Sequence, residues 1–482
     1  MPTAHPPPRP LASALLATAL LGACAGAPPP TAPLRNAITP SQWHAPLPHN
    51  GQTTDLARWW QQFDDPLLAQ LIDAAQAASP TLAAAQSRIA QARAARTAAG
   101  AALLPRLDAN ASLVRGRQDF TTPTGTTASI GAQAGWELDL FGGARAGREA
   151  AQARLDGAET GWHAARVSLA AEVALDYLGL RACEAQLVQA QADATSRGET
   201  ARLTELSARA GFQAPATEAL SRASAAQARA QLAAQRAQCE TAVKGLVALT
   251  GIAEPALRAQ LAPATAALPQ PAQIGVATVP AQVLAQRPDL HIAERELVAA
   301  SADVSQARAQ QWPRVSLAGS VTAGRFESGS LSTDGKLWSI GPLTVSLPLF
   351  DGGTRAANAD AARARYDEAA SSYRATLRGA VREVEQALVQ LQSTASRSED
   401  LRIAAEGFDA SYRAAEARFR GGLASLFELE DARRSAVQAN SQLIELQRER
   451  VAAWIALYRA LGGGWTARQT QASAPADDTR PQ

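Results

Sequence analysis

Ala128-Ser129-Ile130-Gly131-Ala132-Gln133-Ala134-Gly135-Trp136-Glu137-Leu138-Asp139-Leu140 alternates without a fault. Ala128, Ile130, Ala132, Ala134, Trp136, Leu138 and Leu140 fall on one face; Ser129, Gly131, Gln133, Gly135, Glu137 and Asp139 fall on the other. Period two, with one apolar face and one polar, carboxylate-bearing face, describes a strand between lipid and water. Phe141-Gly142-Gly143 then breaks the pattern, and from Gly143 to about Ala208 the chain is rich in helix formers and free of proline. At about 1.5 Å per residue that helix runs to about 100 Å, roughly three times the thickness of a bilayer core. A lipid-facing strand joined directly to so long a helix projects it into the space on one side of the membrane.

Upstream, the stretch 106–115 alternates in the same way, Leu107, Ala109, Ala111 and Leu113 against Asp108, Asn110 and Ser112, and a Thr/Pro/Gly loop at 121–127 joins the two strands. Downstream the whole arrangement is written again. Val315, Leu317 and Val321 alternate with Ser316, Ser320 and Thr322, and Leu343, Val345, Leu347 and Leu349 alternate with Thr344, Ser346 and Pro348, around a Gly/Ser-rich loop at 324–335. Pro80, Pro105, Phe141, Gly211 and Gly251 recur as Pro288, Pro313, Phe350, Gly422 and Gly462, at offsets drifting only from 208 to 211 residues. Shared alanine and arginine content explains similar helices but not ordered proline and glycine landmarks, so the chain is a duplication. The first repeat, 55–270, carries strands at about 106–115 and 128–140 and a helical hairpin over 143–251; the second, 271–464, carries strands at about 314–323 and 338–349 and a hairpin over 353–461. Each hairpin turns at glycine, Gly211 or Gly421-Gly422, where a positive φ is needed for a tight connection. Residues 465–482 are expected to be a disordered tail.

Composition narrows the function. With 46 Lys+Arg against 44 Asp+Glu the net charge is +2, which lacks the basic surplus of a nucleic-acid binder. The five histidines, His5, His44, His49, His163 and His291, have no ligand spacing, and three cysteines do not make a zinc ribbon. Gly462-Gly463-Gly464 follows a helix and lacks a lysine, so it is no phosphate loop, and no enzyme reading or cofactor stands. The apolar run Leu11–Leu21 is too short to span a bilayer and fits a signal peptide over 1–23. It ends Leu21-Gly22-Ala23-Cys24, which resembles a bacterial lipobox, with Cys24 as the acylated (palmitate-bearing) mature N-terminus; an ordinary signal peptide with a coincidental cysteine is the alternative. Residues 24–54 then form a Pro-rich tether. Four strands do not close a barrel, for which about eight is the practical minimum, so chains must pool their strands; three copies give twelve. A soluble hairpin packed on a core would alternate in the same way, and periodicity alone does not separate the two.

Trp59-Trp60-Gln61-Gln62-Phe63-Asp64-Asp65-Pro66-Leu67-Leu68 resembles the opening motif of the TolC-like outer-membrane factors, in particular the lipoprotein branch serving RND-type tripartite efflux pumps. Arg287-Pro288-Asp289-Leu290, the Leu-Phe-(Asp)-Gly-Gly junctions and Arg420-Gly421-Gly422-Leu423 agree with it, and the likeness runs from about residue 55 to 464. The resemblance implies a mainly α fold with membrane β: a homotrimer whose twelve-stranded outer-membrane β-barrel continues as a twelve-helix periplasmic α-barrel, closed at its tip. It implies docking to a periplasmic membrane-fusion adaptor and an inner-membrane RND transporter, through turns that here hold Arg209, Gly211, Arg420, Gly421 and Gly422. It also implies a pore constriction on the second hairpin, matched by Phe427, Glu428, Asp431 and Arg434; without the resemblance these charges read equally as a solvated helix face. Pro215 and Thr217 depart from the pattern, because an acid is common at the latter position.

Two features are read without the family. Gly211 lies midway in sequence between Cys183 and Cys239, so an antiparallel hairpin sets them side by side, and an oxidising periplasm predicts a disulfide; two small buried thiols are the alternative. Trp136, Phe141, Trp338 and Phe350 sit near strand ends, as an interfacial aromatic belt or as ordinary packing residues. A channel for protein secretion through an ABC-driven apparatus and a periplasmic coiled-coil scaffold lipoprotein are the competing functions.

Overall fold

A computed structural model describes residues 39–47, 56–117, 124–270, 276, 278 and 280–466; the proposed signal, Cys24 and most of the tether and tail lie outside them. A 3-10 helix, Leu56–Phe63, precedes α1 (Pro66–Ala78) and α2 (Pro80–Ala101), then β1 (Arg106–Gly116) and β2 (Gly125–Leu138). The first hairpin is α3 (Gly143–Arg209) and α4 (Pro215–Thr250), followed by the short α5 (Glu254–Leu261) and α6 (Pro280–Leu284). The second repeat runs α7 (Pro288–Ala309), β3 (Arg314–Ser328), β4 (Leu331–Ser346), α8 (Thr354–Arg420) and α9 (Leu426–Ala460). The chain divides into two compact units, and α3 and α8 each contribute to both.

The first unit (87–158 and 292–374) holds the sheet. All four strands are antiparallel in the order β1-β2-β3-β4, leaving β1 and β4 at its margins. The register gathers the apolar residues on one face: Leu107 opposite Ala134, Ile130 between Ala111 and Ala323, and Trp136 opposite Leu317. On the other face hydroxyls pair, Ser112 with Ser129 at 2.8 Å and Ser320 with Ser339 at 3.0 Å.

Three boundaries differ from the reading of the sequence. The Gly/Ser-rich stretch 324–335 is not a loop but strand on both sides of a two-residue turn, because Gly324 pairs with Gly335 and Ser328 with Leu331; ladder pairing outweighs the weak strand preference of glycine and serine. β4 consequently starts at Leu331 and stops at Ser346, ahead of Pro348, which has no N–H to give a ladder. β2 starts at Gly125 and ends at Leu138, releasing Asp139 to cap α3. The register also slips within β4: Leu317 faces Leu343 but Gly319 faces Ile340. That bulge, at Gly341 (φ 111°) and Pro342, turns Ile340 and Trp338 onto the face of Leu343 and Val345 instead of the hydroxyl face.

Both strand-to-helix junctions use an aspartate. Asp139 accepts from the backbone N–H groups of Ala144 and Arg145, each at 3.0 Å. Asp351 accepts from those of Gly353 (3.0 Å) and Arg355 (3.1 Å). Each also pairs with the guanidinium of that arginine at 3.0 Å. A carboxylate at a helix N-terminus takes up orphan donors and meets the positive end of the dipole. Below the sheet, Ala299 and Ala302 of α7 pack on Ala150 and Ala153 of α3, while Leu297, Ala300 and Val304 pack on Ala362, Tyr366 and Ala370 of α8. Small side chains bring these helices close, and Arg154 spans to Asp303 at 2.5 Å.

The second unit (38–86, 159–291 and 375–482) holds the larger core. Trp59, Leu68, Leu71, Tyr177, Leu246, Leu257, Val384, Leu388, Ile455 and Leu457 are its centre. Trp59 stacks on Tyr458 at 4.8 Å. Trp465, placed in the tail by the sequence reading, is buried against His291.

Candidate functional site

The two hairpin tips are built alike. After α3 the N–H of Phe212 donates to Ser207 O at 2.9 Å and that of Gly211 to Ala208 O at 3.0 Å; after α8, Leu423 donates to Arg418 O at 2.8 Å and Gly422 to Phe419 O at 3.0 Å. This double bond pattern closes a helix through a left-handed residue, here Gly211 (φ 77°) and Gly422 (φ 72°). Phe212 and Leu423, at the same place in each repeat, are 83% and 75% exposed. Arg209 pairs with Glu205, and Arg420 with Glu416 at 3.0 Å; Gly421 sits in the last turn before Gly422. Pro215 opens α4 at its first position, where a missing N–H costs nothing.

α9 opens with a capping box: Ser425 Oγ accepts from the N–H of Glu428 (3.1 Å), and Glu428 Oε2 accepts from the N–H of Ser425 (2.8 Å). The Ser425 N–H, assisted by Arg418, holds the Glu428 carboxyl below its ordinary range. Glu428 is therefore turned back on its own helix start, whereas Phe427, Asp431 and Arg434, spaced i, i+4 and i+7, share an exposed stripe. Asp431 and Arg434 are 3.9 Å apart.

Sequence reasoning missed the opposite face. Leu426, Leu429, Glu430, Arg433 and Ala436 are all buried, so a charged pair is threaded into an apolar stripe of helical period. That irregularity was the available signal. Arg433 ion-pairs with Glu430 and donates to Ser196 Oγ at 3.0 Å and Thr200 Oγ1 at 3.2 Å. Its guanidinium lies over the Tyr412 ring at 5.5 Å. Glu430 Oε2 accepts from Ser224 Oγ at 2.7 Å and meets Arg197 at 3.3 Å.

The motifs behind the family resemblance are structural. Asp65 caps α1 through the N–H of Leu67 at 3.0 Å and accepts from Tyr177 Oη at 2.5 Å. Burial and that carboxylate push the Tyr177 hydroxyl up to about 12. Arg287 is buried; it donates to Ala460 O at 2.9 Å and pairs with Asp289 and Glu383, each at 2.7 Å. Cys183 and Cys239 form a disulfide between α3 and α4, with Cα atoms 5.6 Å apart. Of the four strand-end aromatics, Trp136 donates to Leu103 O at 3.0 Å and Phe141 stacks on Trp312 at 5.5 Å, whereas Trp338 and Phe350 are exposed. Among the described residues no helix is long and apolar enough to cross a membrane, and no metal-binding group of His, Cys, Asp or Glu occurs.

A four-stranded sheet with an apolar face, and two long glycine-turned hairpins built on a repeat, define a subunit of an outer-membrane channel. The profile of the outer membrane efflux protein family matches twice, over residues 71–252 and 279–463, and the chain belongs to that family. It is 32% identical over 454 residues to the pyoverdine export outer membrane protein OpmQ of Pseudomonas putida, covering 91% of this chain and 94% of that one. It is also 32% identical over 464 residues to outer membrane protein OprJ of Pseudomonas aeruginosa, covering 94% and 95%. The solved outer-membrane channel OprN superimposes with a TM-score of 0.79 at 31% identity, over 89% of this chain and 98% of that one. Proteins of this family are transport conduits, not enzymes, and the chain is an outer-membrane efflux protein.

Proposed function

We propose that three copies of this chain form the outer-membrane conduit of an RND-type tripartite efflux pump. Twelve pooled strands line the passage through the membrane, the helical hairpins form a periplasmic tube, and the tips dock on a membrane-fusion adaptor carrying cargo from an inner-membrane transporter. The observation that carries this reading is the sheet. Its apolar face displays Leu107, Ile130, Val321, Ile340 and Leu343 to the surroundings, and β1 and β4 end it. In hydrocarbon each unpaired backbone group costs several kcal/mol, so the margins need the strands of other copies. Cargo is small molecules, the class to which the pyoverdine, solvents, toluene and antibiotics in the names of similar outer-membrane proteins of Pseudomonas belong. Cys24 carries the lipid anchor, with Pro-rich residues as its tether.

At the tip, the stripes of Phe427, Asp431 and Arg434 converge around the axis, giving an apolar ring above rings of opposite charge that restrict ion passage at rest. Glu428 serves chiefly as the cap that starts this helix. The test is conductance of the detergent-extracted protein in planar bilayers. Asp431→Ala or Arg434→Ala should raise single-channel conductance severalfold; unchanged conductance in both removes these residues from the gate. A water-soluble monomer after lipid removal ends the conduit reading. Cys24→Ala should abolish incorporation of labelled palmitate, and retained label would refute the anchor.

A further inference from the structure

Residues directly across an antiparallel ladder share a face, so the register lays out the apolar side of the sheet row by row. Leu138, Val315 and Val345 form the row nearest the helices. From there to Ala128 every residue of β2 on this side is apolar. The stretch from Leu138 to Ala128 is about 34 Å of strand, and a tilt of about 40° leaves about 26 Å along the membrane normal, the height of the apolar band of an outer-membrane barrel. Charge begins where that band ends. Lys336 lies opposite Ala323, Arg325 lies between Ala128 and Asp334, and Thr126 lies between Arg115 and Glu327. Among the described residues the strands carry two further cations, Arg106 and Arg314. Both stand at the helix end and on the hydroxyl face, opposite Gly135 and Ser346. The apolar side is therefore charged at one end only, the end remote from the helices.

We propose that Lys336 and Arg325 bind the phosphate of a lipid A-type glycolipid in the outer leaflet, whose acyl chains lie along Trp338, Val321 and Ile340. The inference rests on the conduit reading in one respect, that the apolar side of the sheet meets lipid. Trp338 is exposed, stands opposite Val321 and precedes Lys336 by one row; an indole at the edge of the apolar band followed by an ammonium sets that ammonium at headgroup level. Arg325 pairs with Glu327 at 2.7 Å, but both side chains are more than half exposed, so the pair is weak and the guanidinium is free to take a phosphate in its planar fork. Lys336 is exposed as well. Asp334 lies one row farther out than Lys336, and Glu327 one row beyond that. At that height a glycolipid presents sugar hydroxyls, which carboxylates accept from, whereas a second phosphate would be repelled. The inner-leaflet end of this face carries no cation among the described strand residues, which favours the outer leaflet over a phospholipid of the inner one. Because β4 is a margin of the sheet, β1 of the next copy lies beside it in the trimer, and Arg115 of that copy adds a third cation to the site.

The test is native mass spectrometry of the full-length, detergent-extracted protein titrated with three probes: bis-phosphorylated lipid A, the same glycolipid with its phosphates removed, and phosphatidylglycerol. Wild type is compared with Lys336→Gln, with Lys336→Gln/Arg325→Gln and with Arg106→Gln/Arg314→Gln, which removes as much charge from the other face and end. All four side chains are exposed, so the variants keep their fold. The wild-type trimer should hold bis-phosphorylated lipid A about tenfold or more tighter than either other probe. Lys336→Gln should weaken it about fivefold and the double variant about thirtyfold, while Arg106→Gln/Arg314→Gln should match the wild type. Equal retention of the dephosphorylated glycolipid overturns the phosphate contact, and equal retention of phosphatidylglycerol overturns the outer-leaflet assignment. Full affinity in the Lys336→Gln/Arg325→Gln protein, or an equal loss in the Arg106→Gln/Arg314→Gln protein, overturns the site itself. In each of these cases trimers in the same spectra leave the conduit reading standing. Monomers that stay soluble without detergent bring down the conduit reading and the lipid site together.

Discussion

Removing the disulfide with Cys183→Ala/Cys239→Ala is expected to lower the melting temperature of the oxidised protein by a calculable amount. The two cysteines are 56 residues apart, and a cross-link closing a loop of that size removes chain entropy from the unfolded state worth about 4 kcal/mol at 25 °C. With an unfolding entropy of about 2.1 cal/mol/K per residue over 482 residues, that corresponds to a fall of about 4 °C. The loss in the folded state is small by comparison, because Gln235 Nε2 still bonds the carbonyl of residue 183 at 3.3 Å and keeps α3 and α4 in register. Far-UV circular dichroism of wild type and double variant, each with and without a phosphine reductant, provides the readout. Reductant should bring the wild type down to the variant and leave the variant unmoved. Equal melting of the two oxidised proteins, or two alkylatable thiols in freshly prepared wild type by intact mass, refutes the reasoning.

Arg287→Met leaves Asp289, Glu383 and Ala460 O without their shared donor; loss of about 3 kcal/mol is expected, visible in denaturant titration, and an unchanged midpoint counts against a role for this arginine in stability. Gly422 and Gly462 both hold a positive φ, 72° and 86°, but a Cβ at Gly422 meets open space while one at Gly462 runs into the Gln286 carbonyl. Gly422→Ala should therefore cost about 1 kcal/mol and Gly462→Ala several times more, and equal melting temperatures for the two would contradict this. The Arg355 N–H holds the Asp351 carboxyl below its usual 3.8; at Asp139 burial pushes upward but the Arg145 and Ala144 N–H groups win, and the net direction is again down. A carboxyl depressed in the folded state stabilises fully above its unfolded value and loses that contribution as pH falls through the folded one. Asp351→Asn should thus be less stable than the wild type at neutral pH, with the gap closing as pH falls through the folded-state value of the carboxyl; a gap that stays constant throughout acid titration would exclude the linkage.

What the residues alone determined here was local. Period two over 128–138, proline-free helical runs after Gly143 and Gly353, positive-φ glycines at 211 and 422, and two cysteines equidistant from a turn all depend on neighbours a few positions away or on the geometry of a single hairpin. Family membership was legible for the same reason, since its motifs are caps and turns: Asp65 begins α1, and Arg287 ties Ala460 to Asp289. Tertiary structure alone decided which of many similar charges are buried. Glu428, Glu430, Asp431, Arg433 and Arg434 lie within two helical turns, and only the helices covering one side of α9 make Glu430 and Arg433 internal while leaving Asp431 and Arg434 outside. It likewise decided that 324–328 and 331–335 are strand and that β4 bulges at Gly341-Pro342, because a ladder's register is set by its partner strand and not by the residues of one strand.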